Sequence, residues 1–273
     1  MLISAICPTY ARSDRHALLY EAFLHQDHAD SELLVLDDSP EPSSFFLALD
    51  DPRVCYEHLP VRQSIGAKRN MLVARARGEV VVHFDDDDYY APDYLARMAE
   101  ALADDDFVTL GEWHAWQEAT ATMWRWDTTR VDAAHAHVSR TGYRWIEDMA
   151  AHIGGMAAYV DVDGFVESTS WGFGFSYGYR RLVWQECPFP DRNHGEDYVF
   201  SRHARTRGYR CRILSGEAWL GRCVHVVHVA SPDFSPRIAE PAERPSSDPG
   251  TDRSYGAHMS PQVIPASARD RAV

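Results

Sequence analysis

The stretch VVVHFDDDDYYAPDYL, residues 80–95, drives an apolar run into four consecutive aspartates, Asp85 to Asp88. Carboxylates crowded this closely repel one another and raise each other's pKa unless water or a cation compensates. If strand geometry continues through the run, Asp85 and Asp87 point together while Asp86 and Asp88 point elsewhere. Mg²⁺ or Mn²⁺ suits such hard oxygen donors, commonly with one or two protein carboxylates completed by phosphate oxygens and water. Taken alone, a solvated acidic turn explains the run equally well. The apolar strand before it and the YYAP sequence after it tip the balance towards a metal.

Three further segments carry chemistry-bearing residues. In NHGEDYVFSRHARTRGYRC (193–211), Glu196 and Asp197 follow a glycine at the start of a helix-like pattern. A positioned carboxylate there suits a general base taking a proton from an attacking hydroxyl; an ordinary acidic pair at a helix N-terminus accounts for the same residues. In GRCVHVVHVAS (221–231), His225 and His228 fall on opposite faces if the segment is a strand, so that only one reaches a metal. In IGAKRN (65–70), Lys68 and Arg69 sit on a helix, where an arginine can meet a base or phosphate, or simply face solvent.

The elements that must hold these residues follow from the apolar pattern. LISAIC (2–7), ELLVLDD (32–38), RVCYEHL (53–59) and EVVVHF (79–84) read as strands, alternating with helical spacing at Leu18, Leu19, Ala22 and Phe23, with a helix over 64–78, and with another after Pro92. Such alternation predicts an α/β fold, a mostly parallel sheet flanked by helices. Ligands gather at the carboxyl ends of such strands, and PTYARSD, DDSPEP and DDDD all fall there. From about residue 107 the pattern becomes mixed strands and loops, expected to complete the sheet and shape an acceptor side. Residues 231–273 hold seven of the fifteen prolines and read as a disordered or draped tail.

Composition narrows the partners. A net charge of −14, from 27 Lys and Arg against 41 Asp and Glu, opposes binding to nucleic acid or anionic membranes. No segment has the roughly 20 apolar residues of a membrane helix, and no signal-type segment opens the chain. Five widely spaced cysteines without a C-x-x-C pair suggest reduced thiols in the cytoplasm and no structural zinc.

In their order along the chain, AICPTYARSD, LLVLDDSPE, IGAKRNMLVARARGEVVVHFDDDDYYAPDYL and FPDRNHGEDYVFSRHA resemble a family 2 glycosyltransferase of the GT-A fold, over residues 1 to about 230. The resemblance implies a single GT-A domain over 1–230, with a nucleotide-binding half (1–105) and an acceptor and catalytic half (106–230). It also implies a nucleotide-diphosphate sugar donor, UDP- before dTDP-, and a divalent Mn²⁺ or Mg²⁺ on a D-x-D motif. On this reading Pro8, Thr9 and Tyr10 line the base pocket. Asp38 and Arg69 contact the base, and Asp86 lies near the ribose. Asp85 and Asp87 belong to the D-x-D, Asp87 as direct metal ligand, and His228 completes the metal shell with His225 as second choice. Asp197, with Glu196 as the alternative, is the base of an inverting transfer.

Trp171 and Tyr177 are candidates to stack on sugar, with core packing an equal explanation. The acceptor is expected to be a small molecule, a peptide or a glycan precursor. A nucleotidyltransferase would want a glycine-rich basic loop that is missing here, and a glycoside hydrolase would not need a metal-type D-x-D. A non-catalytic sugar-nucleotide or glycan-binding module of the same fold is the rival of a different class.

Overall fold

The computed structural model describes residues 1–128, 135–139, 142–146 and 170–228. The first half alternates strictly: β1 (Ile3–Thr9), α1 (His16–Leu24), β2 (Ser31–Asp37), α2 (Ser44–Ala48), β3 (Val54–His58), α3 (Ile65–Arg75) and β4 (Val80–His83). A two-residue strand, β5 (Tyr89–Tyr90), follows the aspartates, and α4 (Tyr94–Asp104) follows that. Next come β6 (Phe107–Leu110), β7 (Glu112–Gln117), β8 (Thr122–Asp127), β9 (His135–Ser139) and β10 (Gly142–Ile146). The described chain closes with β11 (Gly178–Arg180), α5 (Arg181–Glu186), α6 (Glu196–Thr206), β12 (Cys211–Leu214) and β13 (Cys223–Val227). The proline-rich segment after 231 and all of 147–169 lie outside the described residues.

The branched apolar strands form a seven-stranded sheet in the order β12-β6-β11-β4-β1-β2-β3. β1, β2, β3 and β4 pair in parallel, and β11 enters antiparallel between β4 and β6. Successive residues of the central strands feed opposite cores, as the period-two geometry requires. Ile3, Ala5, Cys7, Val80 and Val82 pack with Leu19 and Phe23 of α1 and with Tyr94 and Met98 of α4. Ile6, Leu34, Leu36 and Val81 pack with Leu72 and Val73 of α3 and with Phe200 and Ala204 of α6. Both faces are thus covered, which is why these strands read as continuous apolar runs.

The second half departs from a single completed sheet. β6, β11 and β12 extend the first sheet, but β7 to β10 join β13 and β5 in a second one, ordered β10-β9-β8-β7-β13-β5 and largely antiparallel. Trp113, Trp124 and Trp126 of this sheet close the first core from the side. Short half-buried strands do not declare which sheet they join, because alternation fixes only which face of a strand is apolar. Two smaller differences arise locally. β1 runs through Pro8 and Thr9, beyond the end of its pairing with β4 at Ile6↔His83, where one side of the ladder has stopped and proline is tolerated. The DDSPEP segment leads into α2, whose Ser43 N-cap accepts from Phe46 N at 3.3 Å.

Candidate active site

The chain leaves β4 at His83 and turns at Asp86–Asp87, so strand alternation does not carry through the aspartates. Asp86 does point away from the rest: it is buried, it accepts from Thr9 Oγ1 at 2.5 Å, and burial raises its pKa although Arg12 and Thr9 oppose the rise. Asp88 departs from the expectation. The turn swings it beside Asp85 and Asp87, whose carboxylate oxygens together with its own lie within 4.8 Å of one another.

The two histidines correct the sequence reading as well. β13 ends at Val227, so His228 escapes the alternation, and both histidines reach the acidic turn. His225 Nδ1 lies 2.9 Å from an Asp88 oxygen, and His228 Nε2 lies 2.6 Å from Asp87 Oδ2. Burial alone would lower the His225 pKa, but Asp88 carries it above the ordinary value.

Whether these donors fit a cation can be judged from Arg12. Its Nη1 rests on Asp87, lies 3.3 Å from Asp86 Oδ1, and lies 3.3 Å from His228 Nε2. One positive group thus already draws together two carboxylates and an imidazole nitrogen. Hard oxygen donors with one nitrogen suit Mn²⁺ or Mg²⁺.

The nucleotide side is built by β1, β2 and α3. Lys68 is buried rather than facing solvent: its Nζ donates to Asp38 Oδ1 at 2.7 Å and to the Thr9 carbonyl at 2.8 Å. The second Asp38 oxygen accepts from Gln63 N at 2.7 Å. Tyr10 is half-buried, with the Arg62 guanidinium over its ring. Pro8 stands opposite Leu36 in the β1–β2 ladder.

The remaining acids enter through α6. Gly195, its N-cap, has φ +66°, a left-handed conformation open to glycine at little cost. The preceding loop is locked onto α3 by Gly66, where an added Cβ would stand 1.9 Å from the Pro190 carbonyl oxygen. Asn70 secures the same contact, exchanging two hydrogen bonds with the Phe189 backbone at 2.8 and 2.9 Å. Arg69 is thereby set against Glu196, Nη1 to Oε1 at 2.5 Å, with both side chains buried.

Asp197 makes no ion pair among the described residues. Its oxygens accept from Gly174 N at 3.0 Å and Tyr198 N at 2.7 Å. Burial raises its pKa, against the pull of Arg69 and these two N–H groups. Glu196 is likewise raised by burial and held back by Arg69, with the neighbouring Asp197 adding to the rise. Gly174 lets the two halves meet: a Cβ there would stand 2.9 Å from Asp197 Cβ and 3.0 Å from both Nη atoms of Arg69. Its carbonyl accepts from His83 Nδ1 at 2.5 Å, two residues ahead of Asp85. Asp85 of the acidic turn acts on the charge of Arg69 together with Glu196 and Asp197.

For the two aromatics with two roles open, burial is the deciding observation. Tyr177 is fully buried against Phe107 and Phe200, so it packs the core and does not face a sugar. Trp171 is half-buried, with the Arg205 guanidinium 4.7 Å over its ring. Arg12, Glu118 and Lys68 were not assigned to the site from sequence, since nothing local distinguishes them from surface charges. Among the described residues, no helix is long and apolar enough to cross a membrane, and all five cysteines are free.

With this geometry in hand, the chain can be set beside known proteins. The sequence profile of the family described as Glycosyl transferase family 2 matches residues 4–161. The chain is 31% identical over 99 residues to the putative colanic acid biosynthesis glycosyl transferase WcaA of Escherichia coli (strain K12), covering 35% of this chain and 36% of WcaA. It is 28% identical over 115 residues to the uncharacterized glycosyltransferase YwdF of Bacillus subtilis (strain 168), covering 40% of this chain and 41% of YwdF. These alignments span about two fifths or less of each relative's length.

Two solved structures share the fold. The mannosyltransferase PcManGT from Pyrobaculum calidifontis, in complex with GDP-Man and Mn²⁺, superposes with a TM-score of 0.53 at 19% identity, over 82% of this chain and 56% of that one. S. aureus TarS 1-349, in complex with UDP-GlcNAc, gives 0.54 at 20%, over 83% and 59%.

Proposed function

The chain belongs to glycosyl transferase family 2, and from that premise we propose that it transfers a sugar from a nucleotide-diphosphate donor to an acceptor hydroxyl with inversion, using a divalent metal and a carboxylate base. The observation that carries this reading is that Glu196, Asp85 of the acidic turn and Asp197 all lie near enough to Arg69 to act on its charge. The solved structures of the same fold with bound GDP-Man and Mn²⁺, and with bound UDP-GlcNAc, support it.

Each residue then has a task. Pro8, Thr9 and Tyr10 line the nucleoside pocket, and Asp38, kept in place by Lys68 and the Gln63 N–H, binds the base. Asp86, tethered by Thr9, stands beside the ribose. Asp85, Asp87 and His228 hold the metal, with Asp88 alongside them. Mn²⁺ or Mg²⁺ bound there supplies positive charge opposite the negative charge that grows on the departing diphosphate.

Asp197 is favoured as the base over Glu196. Glu196 is committed to Arg69 in a buried pair, whereas Asp197 holds only backbone donors and has a raised pKa, which brings a carboxylate nearer the working range of a general base. Arg69, engaged with Glu196, acts by fixing the charge of that pair as well as by reaching towards the base. UDP is the preferred nucleotide, the acceptor is a small molecule, peptide or glycan precursor, and the free cysteines fit a cytoplasmic setting.

Calorimetric titration with UDP, dTDP and GDP, each with Mn²⁺ or with a chelator, tests the donor site. One nucleotide should bind only with metal present, and Asp87→Asn should lose that binding. Asp197→Asn should keep it while turnover falls about 10²–10⁴-fold. Turnover unchanged by Asp197→Asn would refute the assignment of the base, and nucleotide binding indifferent to both metal and Asp87 would refute the donor site.

A further inference from the structure

The geometry points to Glu118 as the residue that aims His228, an inference that rests on the metal-dependent reading above. Glu118 opens the 3₁₀ turn (Glu118–Thr120) joining β7 to β8, outside every motif that led to the site. Its Oε2 lies 3.0 Å from Nδ1 of His228, and its Oε1 accepts from Nη2 of Arg15 at 2.5 Å. With Nδ1–H donating to that carboxylate, the lone pair of Nε2 is directed away from Glu118. Nε2 is the nitrogen that faces Asp87 Oδ2 at 2.6 Å and Arg12 Nη1 at 3.3 Å.

A carboxylate behind a ligating histidine fixes the tautomer, orients the ring and raises the basicity of the ligand nitrogen. Arg15, the N-cap residue of α1, steadies the carboxylate in turn. The chain Arg15–Glu118–His228–Asp87 joins four separate parts of the fold: the start of α1, the β7–β8 connection, the residue after β13 and the acidic turn. His228 follows the last residue of its strand and has no ladder of its own to hold it. Its orientation therefore depends on side-chain partners, and Glu118 is the one on the face away from the acids. Glu118 is a positioning residue: it acts on the metal through His228.

The test is Mn²⁺ binding to the full chain, followed by electron paramagnetic resonance up to millimolar metal without nucleotide. Wild type is compared with Glu118→Gln, Glu118→Asp, His228→Ala and the Glu118→Gln/His228→Ala double variant. Glu118→Gln should weaken Mn²⁺ binding about 10- to 100-fold, and Glu118→Asp should recover part of the loss. Melting temperature in chelator should stay the same. Against the residual affinity that the three carboxylates give His228→Ala, adding Glu118→Gln should change nothing further, because the effect travels through the imidazole.

A purely structural brace would move the melting temperature, and a long-range charge effect would weaken Mn²⁺ as much in the His228→Ala background; either result overturns the inference. Binding lost in Asp87→Asn and His228→Ala but kept in Glu118→Gln would overturn it alone. Failure of wild type to bind Mn²⁺ would overturn the metal reading and this inference together.

Discussion

Replacing Arg69 by methionine removes the guanidinium that neutralises Glu196 while keeping a side chain of similar length. Both partners are buried and lie 2.5 Å apart, so the variant leaves a carboxylate in the interior with no counter-charge. Breaking such a pair costs about 3–5 kcal/mol. Losing the guanidinium pushes Glu196 further up from its already raised position, because burial then acts with no counter-charge to oppose it. The penalty is therefore pH-dependent, with a definite sign. Below the ordinary carboxylate pKa of about 4.3, Glu196 is protonated in folded and unfolded chains alike, and only packing is lost. As pH rises through the window between that value and the raised folded pKa, the unfolded chain releases its proton first, and stability falls. At pH 7 a loss of about 3 kcal/mol should appear as a melting temperature lower by roughly 6–12 °C. Urea unfolding of wild type, Arg69→Met and Arg69→Met/Glu196→Gln at pH 4.5 and 7.5 measures this directly. The double variant should regain most of the loss at pH 7.5. A deficit equal at both pH values, or one that Glu196→Gln does not relieve, would refute the reasoning.

Two further outcomes are expected. Gly66→Ala places a Cβ 1.9 Å from the Pro190 carbonyl oxygen; since backbone rather than a flexible side chain must move, it should destabilise by about 3 kcal/mol, and urea unfolding within about 0.5 kcal/mol of wild type would contradict the tight α3 contact. Arg12→Gln withdraws the guanidinium from Asp86, Asp87 and His228. A part-exposed pair of this kind is worth up to about 1 kcal/mol, so Mn²⁺ should bind about fivefold more tightly by calorimetry, and weaker binding would show that Arg12 assists the cation.

What could be read from the sequence was what short-range patterns encode. The runs around Ile3, Leu33 and Val80 read as buried parallel strands because both faces are apolar, and the crowding of Asp85 to Asp88 pointed to a cation only through the buried strand before it and the YYAP sequence after it. What stayed hidden depends on long-range placement. The turn at Asp86–Asp87 rotates Asp88 into the cluster, and the early end of β13 frees His228, so alternation wrongly excluded Asp88 and wrongly allowed only one of the two histidines to reach the acids. Arg12 and Glu118 look like surface charges until Asp87 and His228 arrive from 75 and 110 residues away. Tyr177 shows the same limit in reverse: an aromatic ring has the same chemistry whether it packs a core or meets a sugar, and only burial tells which.

The acidic turn also occupies a seam. β4 before it belongs to the first sheet, and β5 after it pairs with β13 at one edge of the second. The four aspartates are thus the hinge-pin between two scaffolds, and their spacing gauges how those scaffolds sit together. In the strand order β10-β9-β8-β7-β13-β5, β9 and β10 lie at the far margin, several strands from the pin. A change at that margin leaves the turn where it is, because β4 holds it to one sheet and β5 holds it to the other.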